Sequence, residues 1–377
     1  METYFDDLRP YYQPEIAPAM QRIADSEYLP VMAAFIFPEK TIGEVRNILS
    51  NIRTTDEFQS RIMHRFNQEV IRKSATAFTS DGLEHLNPEK RYLFISNHRD
   101  IMLDSSLLQT VFHAHGFRTT EITFGSNLMC SQLVIDIGKS NKMFTVFRGG
   151  SPRDFYRNSM RLSEYIRHIV TQKKESVWIA QRNGRTKDGN DTTDQGIIKM
   201  FCMSDRSDLP RSIHELHLVP VAVSYQIESC DILKTRELYL SCNGRKYVKR
   251  PDEDLVSILT GITQPKGNIH ICICDPLREE ELKAIGYQSP NEFHKSVASL
   301  IDRRIYRGYK LHNNNYIAHD IRSGRDTYAT HYTPEEKAWF LARYEQMLQQ
   351  IEGDEPVLRS IFLGIYANPV DNCTKHG

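Results

Sequence analysis

Short runs of consecutive apolar residues between positions 91 and 275 define the architecture that the sequence predicts. Six runs are almost unbroken by polar residues: YLFIS, EITFG, MFTVF, SVWIA, LHLVPVAVSY and NIHICIC. Continuous apolar runs of this length are typical of strands that are buried on both faces. Helical patterns such as SSLLQTVFHAH and FYRNSMRLSEYIRHIV separate several of them. This alternation predicts an α/β fold with a largely parallel or mixed sheet flanked by helices.

Helical patterns also occur on both sides of this central part. Thr54 and Glu57 have the spacing of a capping box and precede an apolar stripe at every fourth residue. Near the other end, the segment Thr333–Glu336 places Thr, Pro and Glu where a helix start favours them. We therefore expect a helical N-terminal region over 1–80, an α/β domain over 81–275 and a helical C-terminal region over 276–377.

The composition limits the classes of partner. The chain has 377 residues, 40% of them hydrophobic and 25% charged, which is ordinary for a globular protein. Its 48 basic residues equal its 48 acidic ones, so no global charge favours nucleic acid, and we expect no nucleic-acid partner. The seven scattered cysteines are typical of reduced thiols in a cytosol. Without a second Cys/His pair at ligand spacing, we expect no metal site and no cofactor.

The segment NHRDIMLD places an ionisable pair directly after the first of the apolar runs. In open α/β sheets, ligands bind at the carboxyl ends of the strands, where His98 should lie. A neutral imidazole is a suitable general base, and a carboxylate on its other nitrogen fixes its tautomer. Asp104, near the expected start of a helix, is the better partner. Asp100 is only two residues from His98 and should face a loop amide or solvent instead.

Four blocks in this order resemble the glycerol-phosphate and lysophosphatidate acyltransferase family. The first is NHRDIMLD, the second KMFTVFRGG, the third WIAQRNGRTKDG and the fourth LVPVAVSY. The first block has one residue more than the usual spacing. The third lacks the usual glutamate, and Gln181 or Arg182 stands near its place. The resemblance covers residues 90–230.

The resemblance implies transfer of a fatty acyl group from a thioester to a hydroxyl of glycerol 3-phosphate or a lysophospholipid. The expected donor is acyl-CoA or acyl carrier protein. His98 and Asp104 would be catalytic. The residues that would bind substrate come from the second, third and fourth blocks: Arg148, Arg182, Arg185, Lys187 and Pro220. The four cations suit a phosphorylated acceptor because guanidinium binds phosphate at two points.

Two other functions stay open on the sequence alone. A lipid hydrolase could use His98 with Ser96, Ser105 or Ser106, although the G-x-S-x-G elbow is absent. A non-catalytic lipid-binding relative would also fit the altered third block.

The expected product is a lipid, yet no apolar run is long enough to span a bilayer. We therefore expect a cytoplasmic protein that is peripherally associated with the inner face of the membrane. Two apolar segments are candidates for this contact, Tyr28–Phe37 and Val357–Tyr366.

Overall fold

The computed structural model describes residues 2–242, 247–250 and 252–376, and within them seven strands form one sheet. The strands are β1 (Ala75–Asp81), β2 (Leu93–Ser96), β3 (Glu121–Gly125), β4 (Met143–Val146), β5 (Val177–Ala180), β6 (Leu218–Tyr225) and β7 (Gly267–Ile273). All six apolar runs predicted as strands are strands. Residues 75–81, which straddle the end of the predicted helical region, form β1.

The sheet is mixed, with strand order β1-β7-β6-β2-β5-β3-β4. All neighbouring pairs are parallel except β6 and β7, which are antiparallel. The carboxyl ends of β2, β3, β4, β5 and β6 therefore lie at one edge, which we call the catalytic edge. The α/β prediction with a largely parallel or mixed sheet is confirmed.

Helices cover both faces of the sheet. The helices are numbered in chain order, and α1 to α5 precede the central part. Within the central part they are α6 (Leu103–Ala114), α7 (Gln132–Ser140), α8 (Pro152–His168), α9 (Gln195–Phe201), α10 (Leu209–His214), α11 (Asp231–Ser241) and α12 (Glu253–Thr263). Alternate residues of β2 divide between two cores. Leu93 and Ile95 pack with α8 and α9, whereas Phe94 packs with α6. This explains the unbroken apolar run of β2.

Further helices precede and follow the sheet. The first group is α1 (Gln13–Ala24), α2 (Leu29–Ile36), α3 (Ile42–Ser50), α4 (Thr55–Phe58) and α5 (His64–Ser74), with a π-helical turn, Gln59–Met63, joining the last two. The second group is α13 (Glu279–Lys283), α14 (Pro290–Arg307), α15 (Asn313–Ser323), α16 (Pro334–Gln350) and α17 (Glu355–His376). The predicted capping boxes at Thr54 and Thr333 are both present. The polar segment NGRKYVKRPDED, residues 243–254, has the pattern of a loop; residues 243–246 and 251 lie outside the described residues, and α12 begins within the segment, at Glu253.

Of the two segments expected to contact a membrane, Val357–Tyr366 is packed inside the protein, whereas Tyr28–Phe37 is packed only in part, since Tyr28 and Val31 are exposed. In Val357–Tyr366, Phe362 is fully buried against Phe340 and Tyr366. In Tyr28–Phe37, Phe37 is buried and Phe35 packs on Phe66. The expectation for Val357–Tyr366 is therefore wrong, because its apolar side chains form a helix–helix core. Among the described residues, no helix is both long and apolar enough to cross a bilayer.

The core role of α17 predicts a large stability loss on truncation of its central aromatic. Phe362→Ala should lower the free energy of unfolding by about 3–5 kcal/mol, because it opens a cavity between α16 and α17. Chemical denaturation measures the change. Leu341→Ala, at a 40% exposed position of α16, is the matched control and should change it by less than about 0.5 kcal/mol. Equal effects at the two positions would contradict the packing described here.

Candidate active site

His98 and Asp104 meet at the catalytic edge. His98 lies two residues beyond the end of β2, and Asp104 lies in the first turn of α6. The His98 Nδ1 and Asp104 Oδ2 atoms are 3.0 Å apart. The other ring nitrogen of His98, Nε2, has no hydrogen-bond partner in the described part of the chain and is not sealed from solvent. The longer spacing of the first block thus still brings the two side chains into contact.

The carboxylate of Asp104 is held by three further donors. Its Oδ2 accepts the backbone N–H groups of Arg99, at 2.7 Å, and Asp100, at 2.9 Å, and its Oδ1 accepts the Tyr225 hydroxyl, at 2.9 Å. Burial, reinforced by the charge of Asp104, raises the pKa of Tyr225, so its hydroxyl keeps its proton and donates. Since these neighbours make Asp104 an acceptor, His98 Nδ1 carries the hydrogen and Nε2 is the free acceptor.

Asp100 has a different position, inside the loop. Its Oδ1 accepts the backbone N–H groups of Met102 and Leu103, and its Oδ2 accepts the Ser229 hydroxyl. A Cβ atom on Gly261 of α12 would lie only 2.3 Å from Asp100 Oδ2, so this close approach requires glycine. Asp100 therefore shapes the loop before α6 and packs beneath α12.

A group of four buried charges lies directly behind the His98 loop. Arg99 points inward and binds Asp191 through Nε and Nη2, at 2.9 and 2.7 Å, and Glu228 through Nη1, at 2.9 Å. Lys234 binds Glu228 at 2.6 Å and the carbonyl of Arg99 at 2.7 Å. All four side chains are almost fully buried, and two positive charges face two negative ones. We call this group the buried charge network.

Further contacts keep the network ionised and connected. Burial alone would raise the pKa of Asp191, but Arg99 and the Thr186 hydroxyl outweigh this and lower it. Asn97 joins Asp191, at 3.0 Å, to the backbone of Val223 in β6 through a pair of hydrogen bonds. The backbone N–H of Thr186 donates to the carbonyl of His98 at 2.6 Å. The third block of the sequence is therefore bonded directly to the first.

Arg185 is a buried cation with unused donors. Arg185 is only 7% exposed, and its Nη2 donates to the Ser257 hydroxyl at 2.7 Å. Its Nε and Nη1 atoms are buried and have no partner among the described residues. Asp254 supplies an opposite charge nearby. Burial would raise the pKa of Asp254, but Lys249, Asn127 and the charge of Arg185 lower it below its usual value. Two guanidinium nitrogens, which carry three N–H groups, are therefore buried without an acceptor.

The other predicted substrate-binding residues lie in different environments, from the exposed surface to the buried sheet. Arg148 is exposed, lies against Gly125 and donates to Asn183. Arg182 is partly exposed and has no hydrogen-bond partner in the described residues. Lys187 pairs with Glu237, so its charge is already compensated. Pro220 is buried in the middle of β6, opposite Ile95 of β2. Pro220 thus belongs to the sheet that carries His98 and does not line the edge.

None of the three serines near His98 in sequence is directed at its ring. Ser96 is fully buried and accepts the Trp178 indole N–H at 3.1 Å. Ser105 donates to the carbonyl of Met102, at 3.3 Å, and Ser106 donates to Asn67, at 2.6 Å. The geometry offers no serine nucleophile paired with His98.

Several residues that build the site were not identified from the sequence. They are Tyr225, Asp191, Glu228 and Lys234. Tyr225 is the last residue of the fourth block, so its place at a strand end was an available signal. The others lie in loops or on α11, where a charged residue is most often exposed.

The chain has a distant structural relative and no detected relative in sequence. No protein-family model and no curated protein matches the chain. Among solved structures, the chain is similar to the 1-acyl-sn-glycerophosphate (LPA) acyltransferase PlsC from Thermotoga maritima, with 12% sequence identity and a TM-score of 0.41. The similarity covers 78% of this chain and 97% of that one.

The buried charge network predicts a steep cost for removing one of its carboxylates. Asp191→Ala should lower the free energy of unfolding by about 3–5 kcal/mol, because Arg99 then keeps a buried charge with half of its compensation. Denaturant unfolding followed by circular dichroism measures the loss. The exposed pair of Asp7 with Arg161 provides the control, since Asp7→Ala should cost less than about 1 kcal/mol. Similar losses in both variants would show that the network does not hold the loop.

Proposed function

We propose that the chain is an O-acyltransferase that moves a fatty acyl group from a thioester to the hydroxyl of a phosphate-bearing lipid precursor. The observation that carries this proposal is the pair of His98 and Asp104, with Nε2 of His98 free at the catalytic edge. The four blocks that resemble the glycerol-phosphate acyltransferase family support the same reaction. The donor would be acyl-CoA or acyl carrier protein, and the acceptor glycerol 3-phosphate or a lysophospholipid.

The reaction needs one proton to move twice. His98 Nε2 would take the proton of the acceptor hydroxyl as its oxygen attacks the thioester carbonyl carbon. The imidazolium formed is stabilised by Asp104 across the 3.0 Å contact. When the carbon–sulfur bond breaks, His98 would return the proton to the thiolate. No covalent acyl-enzyme is needed, which agrees with the absence of a serine beside His98 among the described residues.

Arg185 supports a phosphorylated acceptor. A charged group buried with two unused donors is unfavourable unless a ligand satisfies them. A phosphate oxygen would do so and would also compensate the charge. Thr186, the next residue, donates its backbone N–H to the backbone carbonyl of His98, so the loop that carries Arg185 is bonded directly to the loop that carries the base.

The rival functions are less well supported. A lipid hydrolase with a serine nucleophile would need one of the serines to reach His98, and all three are bonded elsewhere. A lipid-binding relative without activity would have no need for a carboxylate that orients the imidazole. Incubation of purified protein with long-chain acyl thioesters and a panel of acceptors, with product masses measured, separates these functions. Free fatty acid without an acylated acceptor would contradict the proposal.

The pair of His98 and Asp104 predicts a ranked series of variants. His98→Ala should lower kcat/KM by about 10²- to 10⁴-fold, since the general base is lost. Asp104→Asn should cause a strong loss too, because an amide favours the wrong tautomer of His98. Asp100→Asn should cost much less activity. Thiol release from the donor measures the rates, and thermal unfolding verifies that each variant is folded.

The order within this series is the critical result. If Asp100→Asn, in a folded protein, loses more activity than Asp104→Asn, then the carboxylate that orients His98 has been assigned incorrectly.

The unused donors of Arg185 predict an effect that depends on the acceptor's phosphate. Arg185→Ala should lower kcat/KM for a phosphorylated acceptor by about 10- to 150-fold, equivalent to about 1.5–3 kcal/mol for a lost charged hydrogen bond. The preference for acyl-chain length should hardly change. Arg148→Ala should have a smaller effect, because Arg148 is exposed.

Two controls isolate this contribution. Lys187→Ala removes a cation that Glu237 already compensates, so it should leave kcat/KM within about twofold. An acceptor that lacks phosphate should be a poor substrate of the native protein and should lose little more in Arg185→Ala. Equal use of both acceptors by the native protein would remove the basis for a phosphate site.

A further inference from the structure

Helix α12 presents two leucines to solvent and two small residues to the protein. Leu255 and Leu259 are 52% and 53% exposed. Ser257 and Gly261, on the opposite side of the helix, are buried against Arg185 and Asp100 respectively. A surface helix normally has the reverse arrangement. The exposed leucines therefore lie on the outer surface of the helix that covers the candidate active site.

Other exposed apolar residues lie at the same edge. Phe147 follows β4, and Phe155, 68% exposed, lies in the first turn of α8. A hydrogen bond of 3.3 Å from Asn127, just beyond β3, to Asp254 in α12 ties the strand ends to this helix. We call the set the apolar rim; its members are Phe147, Phe155, Leu255, Val256 and Leu259. Exposed apolar residues grouped at one edge of a sheet are typical of an interaction surface.

Three arginines without an ion pair accompany the apolar rim, whereas the carboxylates in the first turn of α12, Glu253 and Asp254, are paired with Arg250 and Lys249. Arg148, Arg153 and Arg182 make no ion pair with a carboxylate anywhere in the described ranges. Arg148 and Arg182 follow β4 and β5 at the catalytic edge, and Arg153 lies beside Phe155 at the start of α8. Their charge is complementary to an anionic surface, although the whole chain has no net charge.

We propose that the apolar rim and these three arginines rest on an anionic phospholipid bilayer, so that the catalytic edge faces the membrane. Apolar side chains that enter the acyl boundary, with guanidinium groups at the level of the phosphates, are the two elements of reversible interfacial binding. The inference extends the proposed function, which requires a lipid acceptor to reach His98. It replaces the contact expected from Val357–Tyr366, which is buried.

Flotation with lipid vesicles tests this surface without any substrate. The full chain is mixed with vesicles of phosphatidylcholine and phosphatidylglycerol, or of phosphatidylcholine alone, and the floated fraction is measured. The native protein should partition at least fivefold more strongly to the anionic vesicles. The double variant Leu255→Ser with Leu259→Ser should weaken partitioning about tenfold or more, and Arg153→Glu should remove most of the preference for anionic lipid.

Two matched variants make the result specific. Leu341→Ser changes an exposed leucine of α16, and Val31→Ser changes the exposed apolar residue of α2, at 73% exposure. Neither should alter flotation. Unchanged flotation of the double variant, a loss in Val31→Ser, or retention on an immobilised acidic carrier protein with no vesicle binding would each overturn the inference. Since flotation involves no turnover, vesicle binding by a protein that fails to acylate would count against the proposed function alone.

Discussion

The buried charge network is the interaction on which the candidate active site depends. Arg99, Asp191, Glu228 and Lys234 would each be costly to bury alone, and together they compensate one another within hydrogen-bonding distance. They come from four different segments: the loop after β2, the long loop after β5, the loop after β6, and α11. The network therefore ties these segments together behind His98. A precise position for a general base requires such support from neighbouring residues.

Three consecutive residues of the loop have three separate tasks. His98 points toward the open edge, Arg99 enters the buried charge network, and Asp100 bonds the start of α6. The backbone N–H groups of Arg99 and Asp100 also bind the carboxylate that orients His98. This block has one residue more than is usual in the acyltransferase family that it resembles, and the loop accommodates that residue without separating His98 from Asp104.

The sequence predicted the parts of the structure whose signals are local. Unbroken apolar runs identified six strands, whereas β1 lies at the sheet margin and its largely exposed residues gave no such run. Asp104 could be paired with His98 because a short loop and a helix start connect them. The burial of Arg185 and the pairing of Lys187 with Glu237 depend on contacts made across 50 residues or more, which no local pattern records. The C-terminal apolar segment was misinterpreted because its partners are residues of α11, α15 and α16, and a local pattern does not record contacts between helices.

The charges of the buried charge network compensate one another, and this affects how fast an anionic ligand reaches the catalytic edge. Opposite charges at hydrogen-bonding distance produce almost no field outside the protein, so the network adds little to the potential at the catalytic edge, where Arg148, Arg153 and Arg182 make no ion pair with a described residue. In a chain without net charge, this gives a dipolar field that attracts anions to one side. Such a field is screened within about 8 Å at physiological ionic strength. Added salt should therefore slow the capture of an anionic ligand while hardly affecting the loop that holds His98.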